Sequence, residues 1–562
     1  MIEYKFREFA HLNRKEMATP DTTQSLADPP ATDHNVHVQE QYPKQDTGSS
    51  ADFKSKSSLS SSLNSTTTVV CQSCREMKYD IRSRSELLRK AKEINVPVHG
   101  SVNLTLMAQC FIDNKYFQRL KYLKQLGTCN FIFPGATHTR FEHSVGTYYL
   151  ADRLMQRILT SSDNCRMTEW LDKIPELKSH YQNNMSKDAP KGDVFGPGLN
   201  MWVVELIKIA ALCHDVGHGP YSHLFDDVFI KNSNLSEHPM ATHESRSCEI
   251  VARIVKESEI LSKYVTNDDV KFIQSLIDPP QEATGFVYQI VSNNLNGLDV
   301  DKYDYINRDA LHTGVKSGFD FARLVDAVLV IDDKICYTEQ ANHDIYTLFT
   351  TRHEMHRRVY GHKGVVSAQY IMIDIMKILD KVIKITESIT DLNRFVQMTD
   401  DYILNCMNIV LDMRSLPINP FKDLLTETDY ERLADLQHRV QTHDLYSHVG
   451  TLLTREKIDV SKDFVNIDED DPTYMIHKSK VGFVSGNKLN PLDRIYVYKT
   501  KDLFMNGHNV KAKRINKTDI THIIPDTYQE YITMVYRRDR DIEALFRDKE
   551  VFQRIRDSLT TK

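Results

Sequence analysis

The segment MWVVELIKIAALCHDVGHG, from Met201 to Gly219, constrains this chain more than any other. It reads as an apolar helix that ends at glycine, with His214 and Asp215 adjacent at its end. Imidazole and carboxylate both bind first-row divalent metals. Adjacent helical residues point about 100° apart, so one ion meets both only over the groove between them. Gly217 and Gly219 leave room near such an ion and permit a tight turn. His143, in RFEHSVG, sits on an earlier predicted helix, and Asp301, in NGLDVDKYDY, on a later one. Singly, each has an ordinary explanation: a local hydrogen bond, a packed histidine, a helix cap. As an ordered set they give two imidazoles and two carboxylates, with coordination positions left for water and phosphate.

The surroundings predict a mainly α fold with a smaller C-terminal α+β lobe. Apolar residues recur at three and four from Phe111 to Leu126 and from Phe141 to Thr160, as in helices with one buried face. Residues 161–198 form a polar excursion with one short helix. The region to about Ile375 is mainly helical, including EIVARIVKES and the run from Asp344 to Ile378, with VLVIDDKICYT between them as a hairpin turning at Asp332 and Asp333. MIHKSKVGF and RIYVYKTK have strand character, and a helix is expected near Tyr528 to Tyr536. The expected organisation is a flexible region over 1–88, a catalytic core over 89–375, a helical extension over 376–470 and the α+β lobe over 471–562. The first region holds TPDTTQSLADPPATDH and SKSSLSSSLNSTTTVV, too polar to offset the entropy of ordering.

Composition narrows the function classes. Of 562 residues 41% are hydrophobic and 26% charged, as in a soluble globular protein, and the formal net charge of −6 disfavours a nucleic-acid scaffold. The lysine-rich GHNVKAKRINKTD leaves room for a local basic patch. Nine scattered cysteines argue for a reducing, intracellular compartment, cytoplasm or nucleus. Cys71 and Cys74 make a single C-x-x-C, two ligands short of a structural zinc site. No apolar run reaches the roughly 18 residues of a membrane span, and MIEYKFREFAHLNRKEM has no signal-peptide core.

From about Lys92 to Tyr536 the sequence resembles HD-domain deoxynucleoside triphosphate triphosphohydrolases, especially the eukaryotic SAM-and-HD-domain group, though nothing here resembles a SAM domain. The resemblance is carried by VPVHG, YFQRLKYLKQLG, FPGATHTRFEHSVG, IAALCHDVGHGPYSHLFD, IVSNNLNGLDVDKYDYINRD and TRHEMHRRVYGHK. It implies an HD-superfamily helical core that hydrolyses a dNTP to the deoxynucleoside and inorganic triphosphate. His143, His214, Asp215 and Asp301 would hold one iron, manganese, zinc or nickel ion, with Mg²⁺ accompanying bound nucleotides. His223 would be the general acid for the 5′-oxygen, supported by Asp226, which shares its face if the segment is helical, and by His243; His218 would contact phosphate. Arg140, Lys302 and Arg352 would pair with phosphate oxygens. Gln125, Leu126, Asp309 and Tyr360 would surround the deoxyribose, with Tyr305 close by, Tyr360 filling the space of a 2′-hydroxyl.

The same resemblance implies a homo-oligomer, tetramer or dimer, activated by GTP and dNTP. At a first nucleotide site Lys92, Asp113 and Gln118 match, while Lys121 replaces an arginine and Glu93 a valine. At a second, Asn95, Arg323, Asn342, His362, Lys363 and Lys499 match, but KICYTEQ lacks an arginine and a lysine of the pattern. Two alternatives fit a similar core: a phosphohydrolase of nucleoside monophosphates or phosphodiesters, and a nucleic-acid-binding regulatory protein. No membrane partner is expected.

Overall fold

The computed structural model describes residues 81–182, 198–457, 472–482, 490–506, 510–520 and 528–560. The polar stretches of the N-terminal region and the Cys71–Cys74 pair lie outside them. The fold is mainly α-helical with a smaller β-containing C-terminal lobe.

The described chain opens with a hairpin, β1 (Lys90–Val96) and β2 (Gly100–Thr105), which runs into α1 (Leu106–Ile112). The helical run expected from Phe111 to Leu126 is broken instead. Asp113 ends α1, Asn114 caps a new turn by accepting from Tyr116 N–H, and Arg119–Tyr122 tightens to a 3-10 turn. Short polar side chains offer the backbone a local partner in place of the next helical turn. The described part of the excursion carries two short helices, Asn164–Leu171 and Lys178–Gln182, where one is expected.

Three helices build the centre: α2 (Arg140–Ser161), α3 (Met201–Cys213) and α4 (His243–Glu257). Asn200 caps α3 through Val203 N–H, and every residue of α3 from Trp202 to Cys213 is buried. Each large aliphatic side chain there contributes about 1.5–3 kcal/mol of burial. The two charges this helix cannot avoid are paired: Lys208 Nζ lies 2.9 Å from Glu205 and 3.0 Å from Asp152 of α2. On either side lie α5 (Asn267–Ile277), packed on α3, and α6 (Val300–Thr313), packed on α2.

The hairpin of β3 (Val328–Ile331) and β4 (Lys334–Thr338) turns at Asp332 and Asp333, both left-handed with φ of 48° and 57°, as a two-residue turn between right-twisting strands requires. Then come α7 (Asn342–Met355), α8 (Lys363–Ile383), α9 (Asp400–Met413) and α10 (Glu427–Thr442). The lobe holds β5 (Ser447–Thr454), β6 (Tyr474–Gly482), β7 (Tyr496–Tyr498), β8 (Lys513–Arg514), β9 (Gln529–Arg537) and α11 (Ile542–Thr560). The helix expected near Tyr528 to Tyr536 is in fact β9, the central strand of the order β5-β9-β6. Its β-branched Ile532, Thr533 and Val535 suit a strand flanked on both edges, and a short, largely apolar stretch fits either periodicity. Val535 packs with Val449, Leu452 and Phe552 of α11. In the other sheet β7 pairs in parallel with β4 of the core.

Arg84 fastens the segment before β1 to α3 and α5. Its guanidinium lies 4.7 Å over the Trp202 ring and 3.5 Å from Asp269, which also meets His180 Nε2 at 2.7 Å and accepts from Trp202 Nε1 at 3.0 Å. Burial works to raise the Asp269 carboxyl, but the His180 bond and the Thr266 N–H outweigh it and hold it below the usual value. A depressed folded-state pKa gives stability that is complete above the unfolded value and is lost as pH falls through the folded one. Asp269→Asn is expected to destabilise by about 2 kcal/mol at pH 7 and to flatten the acid limb. Urea midpoints between pH 7 and pH 3 check this.

Among the described residues Cys129, Cys213, Cys248, Cys336 and Cys406 are free thiols. Among the described residues no helix is long and apolar enough to cross a membrane.

Candidate metal centre

Three helix ends converge on one point. His143 comes from the first turn of α2, His214 and Asp215 from just past the last residue of α3, and Asp301 from the first turn of α6. His143 Nε2 lies 3.4 Å from His214 Nε2, 3.3 Å from Asp215 Oδ2 and 3.2 Å from Asp301 Oδ1. His214 Nε2 lies 3.4 Å from Asp215 Oδ1 and 3.5 Å from Asp301 Oδ1. Donors sharing one ion at about 2.0–2.2 Å stand about 3.0–3.5 Å apart, so this spacing fits a single first-row metal.

Both imidazoles are fixed with Nε2 inward. His143 Nδ1 is 2.7 Å from Asp304 Oδ2, and His214 Nδ1 is 2.9 Å from the Ala211 carbonyl. Burial opposes charge throughout the cluster, yet specific partners win. Arg140 and the neighbouring histidines hold Asp215 well below the usual carboxylate range, and His143 and His214 hold Asp301 there. The carboxylates in turn raise His143 well above an ordinary histidine and raise His214 as well. A site this demanding of positive charge suits a divalent cation, whose binding releases those protons.

Sequence reasoning missed Asp304. Buried on α6, it receives His143 on one oxygen, meets His99 Nε2 at 2.5 Å on the other, and is forked by Arg308 at 2.8 and 2.9 Å. A signal existed: Asp304 is one turn from Asp301 and four residues before Arg308, and His99 ends the VPVH run. Gly146 makes the room, since a Cβ there would stand 2.0 Å from Asp304 Oδ1.

The glycines after the His-Asp pair serve packing rather than an unusual turn. A Cβ on Gly217 would lie 2.3 Å from the His243 carbonyl and 2.4 Å from Ser247 N, and one on Gly219 would enter the Phe225 ring. Neither has positive φ. The close contact at Gly217 brings α4 and its His243 to the site.

His218, His223 and His243 gather beside the centre, one nitrogen of each within 4.8 Å of the others. His218 and His243 stack at 3.8 Å with 18° between planes. Imidazole lone pairs lie in the ring plane, so this stack does not point both rings at one ion. Burial, then repulsion from Arg140 and His243, keeps the His218 pKa far down, and the ring lies 3.1 Å from Asp215. Asp226 does not pair with His223, contrary to the sequence expectation. Residues Phe225–Phe229 are π-helical, which widens the turn, so His223 Nδ1 is 3.7 Å from Asp227 instead. Asp226 holds His243 at 3.0 Å and pairs with Arg246. The His223 side chain is 65% exposed.

Asp301, Tyr305 and Asp309 repeat every fourth residue along α6, and Arg352, His356 and Tyr360 repeat likewise across α7 and the π turn after it. Arg352 Nε donates to Tyr305 at 3.3 Å, and Tyr360 donates to Asp309 at 2.7 Å. Asp309 also meets His138 at 2.8 Å. Leu126 and Tyr360 pack on one apolar cluster with Ala310, Met355 and Val359. Among the described residues Gln125 Oε1 and Arg140 Nη2 are buried without a hydrogen-bond partner, while Arg140 pairs with Asp215 through Nη1. Lys302 sits 3.0 Å from Asp299. His356, which sequence reasoning missed, is held well below an ordinary histidine by burial and then by Arg352, His353 and His223.

The expected nucleotide contacts lie elsewhere. Lys92, Glu93 and Asn95 are exposed on β1, and Asp113, Gln118 and exposed Lys121 follow along α1 and the turns after it. Glu93 pairs with Lys90 at 2.7 Å. Lys121 Nζ sits 4.8 Å over the Phe141 ring. Arg323 reaches Asp344 at 3.3 Å, His362 caps α8, Lys363 and Lys499 are exposed, and Asn342 is buried with Oδ1 unpartnered.

The HD domain profile matches residues 199–304, the span holding three of the four converging ligands. A putative HD domain-containing protein of Acanthamoeba polyphaga mimivirus is 35% identical over 415 residues, covering 71% of this chain and 83% of that protein. The deoxynucleoside triphosphate triphosphohydrolase SAMHD1 homolog of Dictyostelium discoideum is 29% identical, covering 83% and 80%. Human deoxynucleoside triphosphate triphosphohydrolase SAMHD1 is 28% identical, covering 82% and 72%. With ligand spacing suited to a metal-dependent phosphohydrolase and similarity running over most of its length, this chain belongs to the HD-domain superfamily and is homologous to the SAMHD1-like dNTPases.

Proposed function

We propose that this protein is a metal-dependent dNTP triphosphohydrolase that converts dNTP and water to deoxynucleoside and inorganic triphosphate. The observation that carries this reading is the stripe on α6. Asp301, Tyr305 and Asp309 span about 12 Å of helix at 1.5 Å per residue, enough to run from a phosphate to its sugar. The ladder from Arg352 to Tyr360 faces it, joined at Tyr305 and Asp309.

His143, His214, Asp215 and Asp301 would hold the metal, iron, manganese, zinc or nickel, with Mg²⁺ on the nucleotide. When bound, such a metal supplies Lewis acidity at phosphorus and makes hydroxide accessible near neutral pH. Arg140 turns its unpartnered Nη2 to a phosphate oxygen, and Lys302 and Arg352 neutralise the others. His218, kept neutral, donates or accepts a hydrogen bond without adding charge. His223 delivers a proton to the departing 5′-oxygen, and His243, oriented by Asp226, supports it. The 3′-hydroxyl lies between Asp309 and Gln125 Oε1. Tyr360, held on Asp309, fills the space a 2′-hydroxyl would need, with Leu126 as the apolar wall. The matching groups from Lys92 to Lys499 are assigned to GTP and dNTP activators of a homo-oligomer, and the thiols to an intracellular setting.

Incubation with dGTP, with and without GTP, Mg²⁺ and Mn²⁺, followed by product separation, tests the reaction. Deoxyguanosine with intact triphosphate is expected; dGMP with pyrophosphate, or no turnover by metal-loaded protein, overturns it. Mass measurement with GTP plus dNTP tests the activator assignment, which a single unchanged species would refute.

A further inference from the structure

We propose that Asp400 is a positioning residue for the reaction, acting from outside the HD segment by holding the two loops that aim Arg140 and His223. The inference rests on the roles given to those two residues above.

Asp400 is the first residue of α9, and Thr399 already caps that helix. Its carboxylate is therefore free to serve other elements, and it points at two. Oδ2 accepts from Lys124 N–H at 2.9 Å and Oδ1 from Tyr221 N–H at 2.6 Å, while its carbonyl accepts from the Tyr221 hydroxyl at 3.2 Å. Lys124 precedes Gln125 and Leu126. Tyr221 opens the turn that presents His223.

That turn needs holding. Tyr221 and Ser222 are both left-handed, with φ of 59° and 61°, a conformation that side-chain-bearing residues keep only when their surroundings enforce it. The two loops also approach so closely that a Cβ on Gly127 would stand 2.7 Å from the Tyr221 carbonyl. From there the contacts run straight to the centre. Ser222 Oγ donates to the Lys124 carbonyl at 2.7 Å and accepts from Arg140 Nε at 2.8 Å, and the same guanidinium pairs with Asp215. The residues just before Asp400 brace the opposite side. Arg119 joins the Met398 carbonyl at 2.9 Å to the carbonyls of Val216 and His218, at 3.0 and 2.6 Å.

Asp400 is 1% exposed. Burial pushes its pKa up to about 6, against the two N–H bonds that favour its charge. A carboxylate kept dry in this way, with no cation among the described residues bonded to it, is an expensive support for a loop, and strongly perturbed groups concentrate at functional sites.

The test compares wild type with Asp400→Asn, whose amide keeps the shape but turns a donor toward one of the two N–H groups. Four quantities are read: melting temperature, metal per chain, kcat and KM for dGTP, and the rate at which diethyl pyrocarbonate modifies His223, located by mass spectrometry. Expected are an unchanged metal content, a kcat lower by about ten- to a hundredfold with KM moving far less, and an altered His223 modification rate. An unchanged kcat and unchanged His223 rate with a lowered melting temperature would make Asp400 a structural residue and overturn the proposal. Should Asp400→Asn not fold, Ser222→Ala cuts the same line one contact later and is read the same way. If wild type does not turn over dGTP, the dNTPase reading fails, while the His223 rate still decides whether Asp400 positions that side chain.

Discussion

Asp304→Ala is expected to destabilise the fold by about 3–5 kcal/mol and to weaken metal binding about ten- to a hundredfold. The size follows from what the substitution strands. Asp304, His99, His143 and Arg308 have side chains 0% exposed, and one carboxylate answers all three bases. Arg308 keeps its charge, and its remaining carboxylate partner, Glu142, is 3.8 Å away. His143 loses the bond that fixes its tautomer and keeps Nε2 inward. Urea denaturation of the metal-loaded protein gives the first number and competition with a chelator the second. A loss below about 1 kcal/mol would show that the network relaxes around the gap.

Asp215→Ala is expected to remove metal and to lower turnover by at least about a thousandfold, since a Lewis acid supplies several kcal/mol and each 1.36 kcal/mol is tenfold. Asp215 approaches both imidazoles of the centre, lies 3.1 Å from His218 and pairs with Arg140. Its loss leaves a guanidinium 1% exposed beside two histidines. Arg140 should therefore swing away, and added metal should not rescue the variant. Elemental analysis and product chromatography read the two effects separately. Full turnover with bound metal would transfer the ligand role to Asp301 and the two histidines alone.

The candidate ligands were legible because each is chemically distinctive and marked by its neighbours: an apolar helix before His214 and glycines after Asp215. The turn at Asp332 and Asp333 was legible for a similar reason, as two short polar residues between apolar runs tolerate left-handed backbone. Asp304 was not, because a carboxylate one turn from another reads as a solvated helix face until burial is known. Asp226 was misplaced because a π turn leaves no periodic mark. The segment from Gln529 to Arg537 was misread because strand or helix there is decided by β5 and β6, which lie far off in sequence. Asp400 has no signature at all; only tertiary structure says what an aspartate at a helix start faces.

The parallel pairing of β4 with β7 sets the order in which the protein can be completed during synthesis. Cys336, Tyr337 and Thr338 align with Tyr496, Val497 and Tyr498, about 160 residues later, a separation that makes the contact slow to form. The carbonyl of Gly482 that receives Arg352 also arrives late. A chain leaving the ribosome can gather its candidate metal ligands once α6 has emerged. Arg352, and the edge of β4, wait for the final quarter. A half-made chain would then be a metal binder with an open sheet edge, the state in which it is most exposed to mispairing.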